Sequence, residues 1–537
     1  MTNASSARPN VLLIITDQQR ADHLGAYGNS LVRTPHIDGL AAAGWSADRF
    51  YVSSPICMPN RSTMMTGRMP SVHGVRHNGI PLALDWTTFP ELLRAAGYAT
   101  ALLGKAHLQN MTDGRPVTPG PDATAGAKSP PYPLREARHR SHDEALYEQE
   151  NPRRWRDPAF SMTLPFYGFE HVALCTEHAD LVEGEYGRWL RARLPDADAL
   201  RGPKGAFATD VAAPQAWRTR IPEELYPTTY VADQTIAWLE ARAASGDGRP
   251  FFAQCSFPDP HHPFTPPGKY WDMYDPADVT LPASFQPAGP NTPPHVTELQ
   301  RERDAGTADR NGPQVYAVNE REARESTALT YGMIAMIDDA VGRVLTRLRD
   351  LGLAENTIVI FTSDHGDFMG DHQLMLKGPL HFQGVIRTPF IWFDPQRPAR
   401  GARSDELAGT IDIAQTILER AGLEGFNGMQ GRSLLGAIAG NGQAPRDTFL
   451  VEEESQRVQM GFSAPARVRT LLGERYRLST YANVSWGELY DLDTDPHELT
   501  NLWSDPGHAG VRSDLLFELT QAMLAAADTS PHPTKRA

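Results

Sequence analysis

Residues Ser53 to Asn78 read SSPICMPNRSTMMTGRMPSVHGVRHN. Within them, Cys57-Met58-Pro59-Asn60-Arg61 is followed by Thr66-Gly67-Arg68. Proline suits the opening of a helix, where its missing N–H costs nothing, and glycine suits the residue just past a helix end. The spacing therefore predicts a short helix from Cys57 that stops at Gly67. Cys57 then sits at a helix N-terminus, where unpaired backbone N–H groups attract anions. Arg61 lies four residues on, one turn away, so its guanidinium can return to the same spot. The plain alternative is a buried apolar cysteine ahead of an ordinary capped helix.

Upstream, Val11 to Ile15 is a continuous apolar run, as expected of a fully buried parallel strand. Asp17 and Gln18 follow at its C-terminal end, the edge where open α/β sheets collect ligands. Pro35 opens a helix closed at Gly44, and Phe89 to Ala96 is a helix closed by Gly97. Tyr98 to Leu103 reads as a strand running into Gly104-Lys105-Ala106-His107. This alternation is that of a three-layer α/β domain. Farther on come a helix over Thr228 to Ala244 and a strand over Phe251 to Phe257, which leads into Pro260-His261-His262-Pro263. The longest helix, Glu322 to Leu351, carries Tyr331, Ile334, Ile337, Val341, Val344 and Leu348 on one stripe. A strand from Asn356 to Thr362 ends in Ser363-Asp364-His365-Gly366-Asp367, with Lys377 beyond. A strand over Pro389 to Phe393 and a helix over Thr410 to Ala421 complete the unit.

Between about 111 and 225 the rhythm breaks into Pro-, Arg-, Asp- and Gly-rich sequence, expected to be an insertion over the active-site mouth or a surface excursion. Past Asp447 the pattern changes to short antiparallel strands and a final helix over Arg512 to Ala526. The expected division is a catalytic unit over 1–440, a smaller α+β unit over 441–526, and a disordered tail over 527–537.

The 537-residue chain carries a formal charge of −14, which argues against a nucleic-acid or anionic-membrane partner. Its three cysteines, Cys57, Cys175 and Cys255, form no disulfide framework and fit a reducing compartment. The N-terminal apolar run lacks a basic flank and a cleavage site, and no segment reaches the ~18 apolar residues of a membrane span. A cytoplasmic location is the expectation.

The whole spacing C-x-P-x-R followed by T-G-R resembles the signature of the type I sulfatases of the alkaline phosphatase superfamily. The segment Glu488-Leu-Tyr-Asp-Leu-Asp-Thr-Asp-Pro-His-Glu resembles that family's C-terminal segment, Gly104-Lys105-Ala106-His107 its G-K-W-H pattern, and His261 its P-H-x-P-F pattern, with His262 as the other registration. The resemblance implies an alkaline-phosphatase-like α/β/α domain with a large, mostly parallel sheet, and a smaller C-terminal α+β domain with an antiparallel sheet. It implies that a formylglycine-generating maturation enzyme oxidises Cys57 to formylglycine (3-oxoalanine), whose hydrated diol is the nucleophile. Asp17, Gln18, residue 57, Asp364 and His365 would hold a divalent metal. Gln18 is either a ligand through its amide oxygen or a group behind the ligands. Carboxylates and a diol oxygen suit Ca²⁺, with Mn²⁺ the alternative because of the nitrogen. Arg61, Lys105, His107, His261 and Lys377 would serve catalysis, and Asn78, Arg61, Lys105 and Lys377 would bind substrate.

Gln18 and His365 depart from the commoner family pattern and resemble the choline-sulfatase and phosphonate monoester hydrolase branch. The implied function is hydrolysis of a small-molecule sulfate monoester, with promiscuity toward phosphonate monoesters and phosphodiesters. By the same resemblance, soluble relatives commonly assemble, so a homo-oligomer is expected. Three alternatives stand beside it: a phosphonate monoester hydrolase or phosphodiesterase, an unmatured metal-binding scaffold, and a metal-dependent phosphatase with a Cys57 thiolate.

Overall fold

The computed structural model describes residues 8–112, 114, 145–441, 446–530 and 532–535. Its first strand, Asn10–Thr16, is buried along its whole length because it runs through the middle of a nine-stranded sheet. Thr357–Ser363 pairs with it in parallel on one side and Phe251–Ser256 on the other. Ala99–Lys105 and then His171–Thr176 extend the parallel run outward. Glu183–Gly184 closes that side antiparallel. Beyond Thr357–Ser363 lie Phe390–Phe393, Trp45–Ala47 and Ala402–Ser404. Five parallel strands thus end at the same edge of the sheet.

Successive side chains of a strand point to opposite faces, and Asn10–Thr16 shows the consequence. Leu12 and Ile14 pack with Val231, Leu239, Tyr331, Ile334, Ile337, Val341, Val344 and Leu348. Those residues belong to helices Pro227–Ala244 and Glu320–Asp350. Val11, Leu13 and Ile15 join Met64, Met65, Leu93, Ile413 and Ile417 on the other face. Each such fully buried side chain contributes ~1.5–3 kcal/mol relative to exposure. The architecture is the expected three-layer α/β/α arrangement. Among the described residues, no helix is long and apolar enough to cross a membrane.

The stretch that reads as irregular between 111 and 225 is partly regular. Strand His171–Thr176 and helix Glu185–Arg193 lie within it; residues 113 and 115–144 of the expected insertion lie outside the described residues. Of the expected disordered tail, 531, 536 and 537 lie outside them too, and Ser530 Oγ donates to Asp528.

The C-terminal unit is a four-stranded antiparallel sheet, Phe449–Glu454, Arg467–Leu472, Tyr476–Tyr481 and Gly487–Asp491, with helix Ala509–Ala525 packed on it through Leu515 and Leu519. Its first strand ends in three glutamates, each tied to the larger unit. Glu452 accepts from Ser71 N–H and Oγ–H at 2.9 and 3.0 Å. Glu453 pairs with buried His381 at 3.1 Å, and Glu454 with Arg76 at 3.0 Å.

Candidate active site

The helix predicted around the cysteine is Cys57–Thr66, buried throughout. Gly67 ends it in the left-handed region (φ 63°), its N–H donating to Thr63 O at 2.8 Å. Asn60 anchors the helix: its Oδ1 accepts from Thr410 Oγ1 at 2.7 Å and from Ser53 N–H at 3.2 Å, while its Nδ2 donates to Asp364 O at 2.5 Å. The helix N-terminus is thereby fixed against the end of strand Thr357–Ser363. Asn78 lies at the same end, its Oδ1 accepting the Met58 N–H at 3.1 Å.

Asp17, Cys57, Asp364 and His365 each place a ligand atom within 4.8 Å of the others, and all four are buried. His365 Nε2 is 3.6 Å from Asp17 Oδ1 and 3.6 Å from Asp364 Oδ1. Its Nδ1 lies 2.8 Å from Gly366 O; a carbonyl only accepts, so Nδ1 carries the hydrogen and Nε2 presents a lone pair to the cluster. Two carboxylates and a correctly oriented imidazole converging in a buried site fit a divalent cation.

Gln18 enters the cluster through its backbone, whose N–H donates to Asp364 Oδ1 at 3.1 Å. Its amide oxygen accepts from Lys377 Nζ at 2.7 Å. Its amide nitrogen donates to Asp367 and lies 3.1 Å from His262 Nδ1.

Cations surround the carboxylates. Arg61 donates through Nε to Asp364 Oδ2 at 2.7 Å and lies 3.3 Å from Asp17 Oδ2 through a terminal nitrogen. Its other terminal nitrogen donates to Lys105 O and Ser256 Oγ, both at 3.0 Å. Lys105 Nζ reaches Asp17 Oδ2. Burial works to raise the Asp17 carboxyl, but Lys105 and Arg61 overcome it and hold the group well below the usual carboxylate range. Burial, reinforced by Asp17, pushes the Cys57 thiol up to about 11, and its Sγ lies 3.1 Å from His365 Nε2. The unmodified side chain is a protonated thiol, a poor nucleophile.

Alternation along an extended strand would put His107 on the same side as Lys105, two residues earlier. His107 instead adopts left-handed backbone (φ 53°) just past the strand. Burial, then Lys105 and Arg61, depress its basicity well below the ordinary histidine value, so the ring is neutral. Its buried Nδ1 has no hydrogen-bond partner among the described residues. His261 Nδ1 faces His262 O, leaving Nε2 to accept from Lys377 Nζ at 2.8 Å.

The fifth strand end adds a residue that sequence reasoning missed. His178 follows His171–Thr176, accepts from Lys105 Nζ at 2.5 Å, and stacks on His261 with ring centroids 3.6 Å apart. The signal was present, since Val172-Ala173-Leu174-Cys175 is an apolar run followed by a polar pair, Glu177-His178. Asp367 was quoted but given no role; its Oδ1 accepts the N–H groups of Met369 and Leu376 at 2.8 and 2.9 Å.

A carboxylate cluster ringed by cations at the C-terminal edge of a parallel sheet is the equipment of a hydrolase acting on anionic esters. Comparison with known proteins narrows that class. The sulfatase family model matches residues 9–423, and the chain belongs to the sulfatase family, within the alkaline phosphatase superfamily. It is a sulfuric ester hydrolase. A second description, N-sulphoglucosamine sulphohydrolase C-terminal, matches residues 370–525. An arylsulfatase of Clostridium perfringens is 28% identical over 505 residues, covering 92% of this chain and 90% of the relative. A multifunctional alkaline phosphatase superfamily protein of Trinickia caryophylli is 27% identical over 549 residues, covering 97% and 96%. The phosphonate monoester hydrolase of Agrobacterium radiobacter superposes with a TM-score of 0.75 at 26% identity, covering 97% of each chain. The family generally works with a metal and a formylglycine; the cluster around Asp17 is this chain's candidate metal site.

Proposed function

We propose that the protein hydrolyses small-molecule sulfate monoesters with Ca²⁺ held by Asp17, Asp364, His365 and residue 57, the last as formylglycine made from Cys57 by a maturation enzyme. The observation that carries this reading is the convergence of those four residues within 4.8 Å, ringed by Arg61, Lys105 and Lys377. When present, the cation neutralises charge on the sulfuryl oxygens, and the hydrated residue 57 supplies the attacking oxygen.

The chain's own residues do the rest. Arg61 orients the two carboxylates, being engaged by both. Lys105 and Lys377 offset the negative charge that builds on the sulfuryl group, and their effect is strongest where water is excluded. Lys377, paired with His261, delivers a proton to the departing oxygen. His107, neutral and with no partner at Nδ1 among the described residues, accepts one. Asn78 holds the N-terminus of the helix that presents residue 57.

A second reading, phosphonate monoester and phosphodiester hydrolysis, is favoured by the likeness to the Agrobacterium enzyme. A pocket built to spread charge from one tetrahedral anion serves the other at lower rate. The test uses matured protein. Mass spectrometry of the tryptic peptide Phe50 to Arg61 reads thiol or aldehyde, and kcat/KM is compared for an aryl sulfate and a phenylphosphonate ester. An aldehyde with the sulfate ester preferred is the expected result. A thiol in active protein overturns the formylglycine, and preference for the phosphonate ester selects the second reading.

A further inference from the structure

We infer that Glu150 is the positioning residue that holds His107 in the site, an inference that rests on the reading of His107 given above. Glu150 is fully buried and lies more than forty residues along the chain from the loop it grips. Its Oε2 accepts the His107 N–H at 2.7 Å. Its Oε1 accepts the N–H groups of Leu108 and Gln109 at 2.7 and 2.8 Å. Three consecutive amides at the turn after strand Ala99–Lys105 therefore converge on one carboxylate.

The turn needs such an anchor. A non-glycine residue in left-handed backbone is strained and persists only where its surroundings over-determine it. Among the described residues the buried His107 Nδ1 has no hydrogen-bond partner, so the conformation of the backbone bears heavily on where the ring points. Glu150 is itself immobilised. The Gln149 N–H donates to Gln109 Oε1 at 2.9 Å, Gln109 Nε2 donates to Leu146 O at 2.9 Å, and Trp155 Nε1 donates to Gln149 O at 2.8 Å. Burial pushes the Glu150 carboxyl up to about 7, an electrostatic cost that the three N–H groups partly offset.

Glu150→Gln isolates the contact. The amide oxygen can keep Leu108 and Gln109, but its NH₂ then meets the His107 N–H, donor against donor. The experiment is a double-mutant cycle on matured protein with Glu150→Gln and His107→Ala, read on an aryl sulfate, together with amide hydrogen exchange of residues 106–110. Expected are a fall in kcat of about tenfold or more with KM little changed, and no further fall when the glutamine is added to His107→Ala. Exchange over 106–110 should accelerate at least about tenfold while the unfolding midpoint stays put. Multiplicative losses, wild-type kcat in Glu150→Gln, or unchanged exchange overturn the positioning role. If His107→Ala alone keeps full kcat, the reading of His107 as a base fails, and the exchange measurement still decides whether Glu150 fixes the turn. Should the glutamine variant not fold, Glu150→Asp, which retracts the carboxylate by one methylene, goes through the same cycle with the same criteria.

Discussion

Lys377 Nζ donates to His261 Nε2 at 2.8 Å, and the other nitrogen of that ring faces a backbone carbonyl. The hydrogen in this contact therefore comes from the lysine, the group that the proposed reaction uses to protonate the leaving oxygen. Lys377→Ala should lower kcat/KM for an alkyl sulfate by roughly 10²–10⁴-fold. A nitrophenyl sulfate, whose leaving oxyanion needs no proton, should lose far less. Rates across esters of graded leaving-group acidity check this, and a uniform loss would assign Lys377 to charge stabilisation alone.

Residue 57 bears on the nucleophile. Cys57→Ser and Cys57→Ala should still bind a sulfate ester but turn over at least ~10³-fold more slowly, because neither offers two hydroxyls on one carbon. Calorimetric binding alongside steady-state rates separates the two effects. Near-normal turnover in either variant would sink the proposed nucleophile.

Removing divalent cations with a chelator should abolish turnover and lower the unfolding midpoint, with Ca²⁺ restoring both. Binding only to the folded state at a hundred times Kd stabilises by ~2.7 kcal/mol. Asp364→Asn, which leaves Arg61 with a neutral partner, should weaken the Ca²⁺ response. Full activity surviving chelation would rule out the proposed metal.

His73 gives a prediction in pH. Its Nε2 lies 3.0 Å from Thr63 Oγ1 on the signature helix, and burial, with Arg68, lowers its value from 6.5 to about 3. Between those values the unfolded chain binds a proton that the folded chain refuses. This contribution to stability is intact above pH 6.5 and is lost as pH falls toward 3, by ~1.4 kcal/mol per unit at most. Urea midpoints at pH 7 and 4.5 should differ less in His73→Gln than in the parent, and an equal difference would refute the assignment.

The strand ends were legible because each is an apolar run cut off by a polar pair, and a parallel sheet gathers such ends along one edge. Asp17, Lys105, His261 and Asp364 could be read in this way. His178 was hidden by surroundings rich in Pro, Arg and Asp, although its own strand carries the same signal. Asn60 stood within the signature, yet its partners are Thr410 and the Asp364 carbonyl, which no local pattern connects. His107 shows the limit of alternation: a residue just beyond a strand need not keep the strand's φ, and here a distant carboxylate sets it. The direction of Gln18's amide, toward Lys377 and Asp367, follows from packing among five strand ends.

Three adjoining glutamates at the end of strand Phe449–Glu454 reach Ser71, His381 and Arg76, which follow the Cys57 helix and Lys377 in the chain. Trimming the polypeptide after 440 would therefore strip buttresses from the segments bearing residue 57 and Lys377 alike. The smaller lobe is masonry for the larger one, so cutting the two apart should cost the enzyme stability and turnover together.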